Sequence, residues 1–175
     1  KLIGYYLAEG CTDTSGFVGF YFGPAETDLV DEVQGIFRKQ FLVKNLKKRM
    51  REVKGQFGNS VTPEIGTKAK IIAFLFGNVL KLGANAHKKT LPGFVISSPV
   101  EFRSGIVDGY LLGDGSAFVS KKDSRCIISA GSVSKGLIKR LHSTLLSLGI
   151  ESAIVRSKQK KMFYLQIGVA SEIKK

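Results

Sequence analysis

The amino-acid sequence predicts an α+β protein of two pseudo-symmetric repeats, each of αββαββ type, packed together through their first helices. Composition is the first observation behind this. Of 175 residues, 43% are hydrophobic and 23% charged, the balance of a chain that buries a core rather than a disordered one. The second is an internal repeat. LIGYYLAEG (2–10) aligns without gaps on VDGYLLGDG (107–115), with Gly4/Gly109, Tyr5/Tyr110, Leu7/Leu112 and Gly10/Gly115 identical. Thirdly, each copy is followed by the same succession of strand, helix, basic strand and strand patterns, one strand short of the full αββαββ unit. A first repeat is expected over 1–98 and a second over 99–175, the latter cut short at its C-terminal end.

Along the chain, KLIGYY opens on a helical pattern already under way and lacks a signal-peptide pattern, which points to a longer natural chain. In GFVGFYFG (16–23), Val18, Phe20 and Phe22 alternate as in a half-buried strand. Gly23-Pro24 opens a helix whose acidic residues Glu26, Asp28, Asp31 and Glu32 suit its positive end, with Leu29, Val33, Ile36, Phe37 and Phe41 as the apolar stripe. KNLKKRMREVK (44–54) reads as a strand, turning at Gly58-Asn59 into another over 60–66. Thr67 is expected to cap a helix with Ile71, Ile72, Leu75, Val79 and Leu82 inward, closed by Gly83.

Pro99 starts the next helix, which runs to a stop at Asp114-Gly115. RCIISAGS (125–132) is a strand pattern, and Ser134 to Leu148 a helix with Leu137, Ile138, Leu141, Leu145 and Leu148 inward. ESAIVRS (151–157) and MFYLQIGV (162–169) form a hairpin with a basic KQKK tip, and SEIKK begins a further helix.

Three glycines inside one helix cost about 3 kcal/mol relative to alanine. Gly105, Gly109 and Gly113 in one copy, and Gly4 and Ala8 in the other, lie four residues apart on one helix face. Such faces let two backbones approach closely, so each motif helix is the simplest partner for the other. A pseudo-twofold axis along the seam then brings Glu9 and Asp114 to the same end. A carboxylate in the last helical turn faces the negative end of the macrodipole, at a cost of about 0.3–1 kcal/mol, and two close carboxylates repel. Unless one of the two stays protonated, a bound divalent cation compensates both effects. Hard oxygen ligands without His or Cys suit Mg²⁺. Taken singly, Glu9 is a solvated helix end and Asp114 an Asp-Gly turn; their matched positions favour metal ligation. Asp13 and Asp108 are expected to be structural or exposed, and Tyr5 and Tyr110 to pack in the seam.

The 27 Lys+Arg against 14 Asp+Glu leave a net charge of +13, which favours a polyanionic partner, nucleic acid before membrane. No apolar run reaches the roughly 18 residues of a membrane span. Cys11, Cys126, His87 and His142 make no familiar zinc spacing, and a reduced, intracellular setting is expected. His87 is expected in an exposed loop and His142 beside its helix's apolar stripe. Strand parity puts Lys47, Arg49 and Arg51 on one face and Leu46, Lys48 and Met50 on the other. With Arg156, Lys158 and Lys160 they are the candidate nucleic-acid contacts, the alternative being solvated edge strands.

The two motif copies resemble those of the LAGLIDADG homing endonucleases, in the two-motif type. The resemblance implies a monomer with the motif helices as central seam and an acid from each, Glu9 and Asp114, holding metal at the scissile phosphates. It also implies two antiparallel sheets forming a saddle over a long, pseudo-symmetric double-stranded DNA target. The run KKTLPGFVISSPVEFRSGIVDGYLLGDGS is similar to endonuclease domains of inteins, which makes Lys89 the catalytic lysine. A splicing domain is then expected in the full-length chain, although this stretch lacks a terminal His-Asn pair and self-splicing is not expected of it. Glu9 stands where the usual residue is aspartate, and the second half's lysine would fall beyond Lys175. The function implied is Mg²⁺-dependent site-specific cleavage of both DNA strands. The alternative is a catalytically inactive DNA-binding regulator or an RNA maturase on the same fold.

Overall fold

A computed structural model describes residues 1–43, 46–55, 58–120, 125–157, 159 and 161–169. The first half runs α1 (Leu2–Glu9), β1 (Gly10–Thr12), β2 (Val18–Tyr21), α2 (Thr27–Phe41), β3 (Lys47–Gly55) and β4 (Gly58–Thr67). A short helix α3 (Lys70–Phe74), a π turn (Leu75–Val79) and a 3-10 turn (Gly93–Ser97) lead to the second half. That half repeats the order as α4 (Val100–Asp114), β5 (Gly115–Val119), β6 (Cys126–Ser132), α5 (Lys135–Ser147), β7 (Ala153–Ser157) and β8 (Met162–Val169). Each half holds one four-stranded antiparallel sheet, ordered β1-β2-β4-β3 and β5-β6-β8-β7.

One face of each sheet is covered by a helix. In the first half, Val18, Phe20 and Ile65 meet Val30, Val33 and Phe37 of α2, all fully buried. Aromatic edges lock this core: the Tyr6 and Phe76 rings are 4.9 Å apart at 80°, and Phe20 and Phe37 5.8 Å at 84°. The second core is aliphatic, with Leu137, Ile138, Leu141 and Leu145 of α5 over Ala130 and Leu165. Asp13 organises the β1–β2 turn, its Oδ1 accepting from the amides of Ser15 (2.9 Å) and Phe17 (3.0 Å).

Several elements differ from their sequence expectation for identifiable reasons. α4 ends at Asp114-Gly115 as expected, but α1 and α4 pass straight into β1 and β5, two strands that periodicity does not mark. Gly10 and Gly115 are extended there (φ −87° and −83°). A Cβ on Gly10 would lie 2.6 Å from the Tyr6 carbonyl oxygen, and one on Gly115 would strike that of Leu111. Only glycine permits so abrupt a change from helix to strand. Thr67 ends β4 rather than capping a helix, and α3 widens at Leu75, whose carbonyl accepts from the Leu80 amide at 2.8 Å. The additional residue in that turn rotates the apolar stripe. Ile72, Phe76 and Leu82 are inside, whereas Ile71 and Val79 are 75% and 58% exposed and Leu75 is half-buried. Gly58 and Asn59 already pair with Gly55 and Lys54, so the β3–β4 connection precedes them. The expected helix at SEIKK lies outside the described residues.

Candidate active site and nucleic-acid interface

Helices α1 and α4 cross at backbone distance. A Cβ on Gly4 would meet the Ile106 carbonyl and lie 2.6 Å from the Tyr110 amide; one on Gly109 would meet the Lys1 carbonyl and lie 3.0 Å from the Tyr5 amide. Farther along, the Gly113 position abuts the Ala8 Cβ, while Gly105 is looser, 3.1 Å from the Lys1 amide nitrogen. Such contact leaves no room for side chains, so the last residues of the two helices, Glu9 and Asp114, come out together at one end. The Gly113 position lies 3.8 Å from Glu9 Oε1. Glu9 is half-buried, and Asp114 opens to solvent.

Lys89 reaches the same end from the loop after the π turn. Gly83 (φ +84°) turns the chain back, since a Cβ there would strike the Lys88 carbonyl, and the Thr90 amide returns to the Leu82 carbonyl at 3.0 Å. The Tyr6 hydroxyl fixes the corner by donating to the Gly83 carbonyl at 2.8 Å. Lys89 is 6% exposed, and its Nζ donates to the Ala8 carbonyl at 2.7 Å, in the last turn of α1. Ser134, the N-cap of α5, accepts from the Leu137 amide and donates to the Lys89 carbonyl at 2.8 Å. The first half's loop is thereby pinned to the second half. The sequence marks Ser134 and Glu26, whose charge acts on both carboxylates, only as residues at helix starts and not as part of the site, because nothing local announces partners so distant in the chain.

Burial pushes the Glu9 carboxyl up to about 7; the charges of Asp114 and Glu26 add to this and Lys89 opposes it. Asp114, exposed yet partly desolvated, is also raised, with the Lys89 charge and the nearby Tyr110 hydroxyl acting against the rise. Burial lowers Lys89, and Asp114 and Glu9 hold it up. Tyr110 is buried, its hydroxyl donating to the Gly131 carbonyl at 3.0 Å, and Tyr5 is buried with its hydroxyl on Glu32 at 2.6 Å. Among the described residues, no group of three or more His, Cys, Asp and Glu is arranged to hold a metal ion. A cation at Glu9 and Asp114 would therefore take its other ligands from substrate and water, a donor set that suits a hard divalent ion. His87 is exposed, half-buried His142 places Nδ1 2.8 Å from Ser152 Oγ, and Asp108 is exposed.

The sheets turn their other faces outward. On the first, Lys47, Arg49 and Arg51 of β3 are exposed side by side, and with Tyr21, Phe17 and Glu64 they line a cavity of about 340 Å³. The Arg51 guanidinium sits 5.8 Å from the Tyr21 ring centroid. Arg156 does not share the matching face of the second sheet. It pairs with Phe163 across β7–β8 on the helix-covered side, 5.8 Å over that ring. Lys158 and Lys160 lie outside the described residues. No helix among the described residues is long and apolar enough to cross a membrane.

Residues 101–175 match the family model described as LAGLIDADG-like domain. Over 95% of the chain, the structure superposes on I-DmoI in complex with DNA and Mn, with a TM-score of 0.61 at 15% identity and 86% of that chain covered. The homing endonuclease I-WcaI bound to its DNA recognition sequence gives 0.65 at 15%, covering 95% of this chain and 73% of that one. The chain carries a LAGLIDADG-like domain in the two-motif fold of the homing endonucleases. The N-terminal LAGLIDADG domain of DUF199/WhiA is also similar, with a TM-score of 0.61, 12% identity and 97% and 73% of the two chains covered. In sequence, this chain is 30% identical over 154 residues to the DNA polymerase II large subunit of Thermococcus kodakarensis, covering 84% of the chain and 7% of the relative. It is 30% identical over 165 residues to the ATP-dependent DNA helicase Hel308 of the same organism, covering 90% and 13%. An uncharacterized protein of Methanocaldococcus jannaschii is 27% identical over 187 residues, covering 100% and 20%. The chain thus spans a fifth or less of the length of these relatives.

Proposed function

We propose that this chain is a site-specific double-strand DNA endonuclease that uses Mg²⁺, of intein origin. The observation that carries the reading is the meeting of Glu9, Asp114 and Lys89 at one end of a glycine-lined seam, between two outward sheet faces. Glu9 and Asp114 would hold the cation, which when bound supplies Lewis-acid stabilisation of charge on the scissile phosphates and an activated water. Lys89, kept close by the Ala8 carbonyl, is placed to stabilise negative charge developing on a phosphate. Desolvation keeps Glu9 protonated more readily than an ordinary glutamate, so a cation displaces a proton there as it binds. Lys47, Arg49 and Arg51 would supply DNA contacts from the first half and Lys158 and Lys160 from the second, whereas Arg156, over Phe163 on the covered side, would not. The seam separates a first repeat over 1–98 from a second over 99–175.

Intein origin is supported by the company the sequence keeps. The chain matches short stretches of two much larger proteins of different kinds, a polymerase subunit and a helicase. A mobile insert shared by unrelated hosts produces such a pattern. The similarity to DUF199/WhiA favours a second reading, a binding module that keeps the fold without the chemistry. Incubating the protein with a randomised duplex library and Mg²⁺ decides between them. Cutting at an enriched site, lost in Glu9→Gln and in Asp114→Asn, is expected; specific binding by the unmodified protein with no cut product would leave only the binding module.

A further inference from the structure

The two outward faces correspond row by row, yet they differ in chemistry. Gly10 and Gly115 are equivalent in the repeat, and each opens its sheet. The row Cys11, Gly19, Gly66, Lys47 therefore matches Ser116, Ser129, Gln166, Ala153. In the next row, Arg49 beside Glu64 and Tyr21 matches Val155 beside Tyr164 and Gly131. Arg51 opposite Thr62 then matches Ser157 opposite Met162. Every cation on the outward face of β3 thus has a neutral counterpart on β7, and parity sends Arg156 to the covered side.

Among the described residues, strands β5–β8 place no charged side chain on the outward face; Arg125 stands just beyond the last paired row. That face offers half-buried Gln166 between Ser129 and Ala153, and exposed Phe118 and Val155 (44% and 42%) with half-buried Ile127 in the adjoining rows. These side chains suit particular base edges in the major groove. Arginine pairs with guanine O6 and N7, glutamine with adenine N6 and N7, and apolar groups with the thymine methyl.

Resting on the DNA reading above, we propose that the two half-sites of the target differ in base composition. The first sheet reads a guanine-containing half through Arg49 and Arg51. The second reads an A·T-rich half, with Gln166 on an adenine edge and Phe118, Ile127 and Val155 against thymine methyl groups.

Selection of bound duplexes from a randomised library in Ca²⁺ tests this. The expected site has guanines confined to one half and A·T pairs dominating the other. Arg49→Ala should lose discrimination on the order of tenfold at one or two positions of the guanine half, and Gln166→Ala should do the same in the other half only. Gln166→Glu should change the preferred base from adenine toward cytosine, whose N4 amine a carboxylate accepts from; that gain is independent of any loss of folding. Lys47→Ala should reduce the salt slope of binding by about one unit, and Gln166→Ala should leave it unchanged. Equal guanine content in both halves, relaxation of the same positions by the Arg49 and Gln166 variants, or no change of base with Gln166→Glu overturns the asymmetry. No enriched sequence at all overturns the DNA reading itself.

Discussion

Glu9 sits where three unfavourable influences meet: the negative end of α1, partial burial, and the neighbouring Asp114 charge. Its carboxyl is raised from 4.5 to about 7. Between those values the folded protein keeps a proton that the unfolded chain has released, so stability of the metal-free protein falls as pH rises through that window. Asp114, also raised, acts with the same sign. Thermal unfolding of the metal-free protein should show this decline, and Glu9→Gln should flatten it, with a gain of about 1–3 kcal/mol above pH 7. A flat profile in the unmodified protein would disprove this account of the site. Lys89→Met should lower the single-turnover cleavage rate by about tenfold or more with little change in DNA affinity, read by rapid mixing and by titration. At this scale, the sequence marks residues in proportion to their repetition. Glu9 and Asp114 stand at matched places in two copies of one motif; Glu26 and Ser134, the N-caps of α2 and α5, share no residue type, and only the folded chain brings them to the carboxylates and Lys89.

Among the elements, the motif helices carry the clearest signal, because a small residue every fourth position has one simple physical use. At Gly109 the cost of any side chain is set by backbone atoms of α1, which cannot step aside. Gly109→Leu should therefore destabilise by about 3 kcal/mol or more and impair cleavage together. Gly35 is the contrasting case: it lies within α2 and a Cβ there meets nothing within 4 Å. Gly35→Ala should stabilise by about 0.5–1 kcal/mol, and denaturant titration of the two variants checks both signs. Most of the strands, the helices and most of the core stripe of α2 and α5 are legible from periodicity, whereas the pairing into two antiparallel sheets is implied by the resemblance to the homing endonucleases. Strands β1 and β5 are not legible from periodicity, since they begin on the residue after a helix and have only three and five residues in which to show alternation. The stripe of α3 fails for a different reason: a π turn alters the period midway, so a template of 3.6 residues misassigns Val79, while Ile71, ahead of the turn, is exposed beside buried Ile72.

For the molecule as a whole, the charge of +13 is visible in composition, but its distribution is not. Only strand register shows that the cations of β3 line an outward face while Arg156 does not. That charge has two consequences of opposite sign. In the free protein the excess cations repel one another, and salt screens them once the Debye length falls to about 8–10 Å. With DNA bound the same cations are neutralised by phosphates, and added salt competes by reversing counterion release. Raising NaCl from 50 to 300 mM should therefore increase the melting temperature of the free protein while weakening DNA binding in a linear log–log relation. A Lys47, Arg49, Arg51 triple alanine variant should show both dependences reduced, because one set of charges causes both. If the triple variant kept the full salt dependence of binding while losing that of stability, the phosphate contacts would lie elsewhere on the molecule and β3 would not be the electrostatic face.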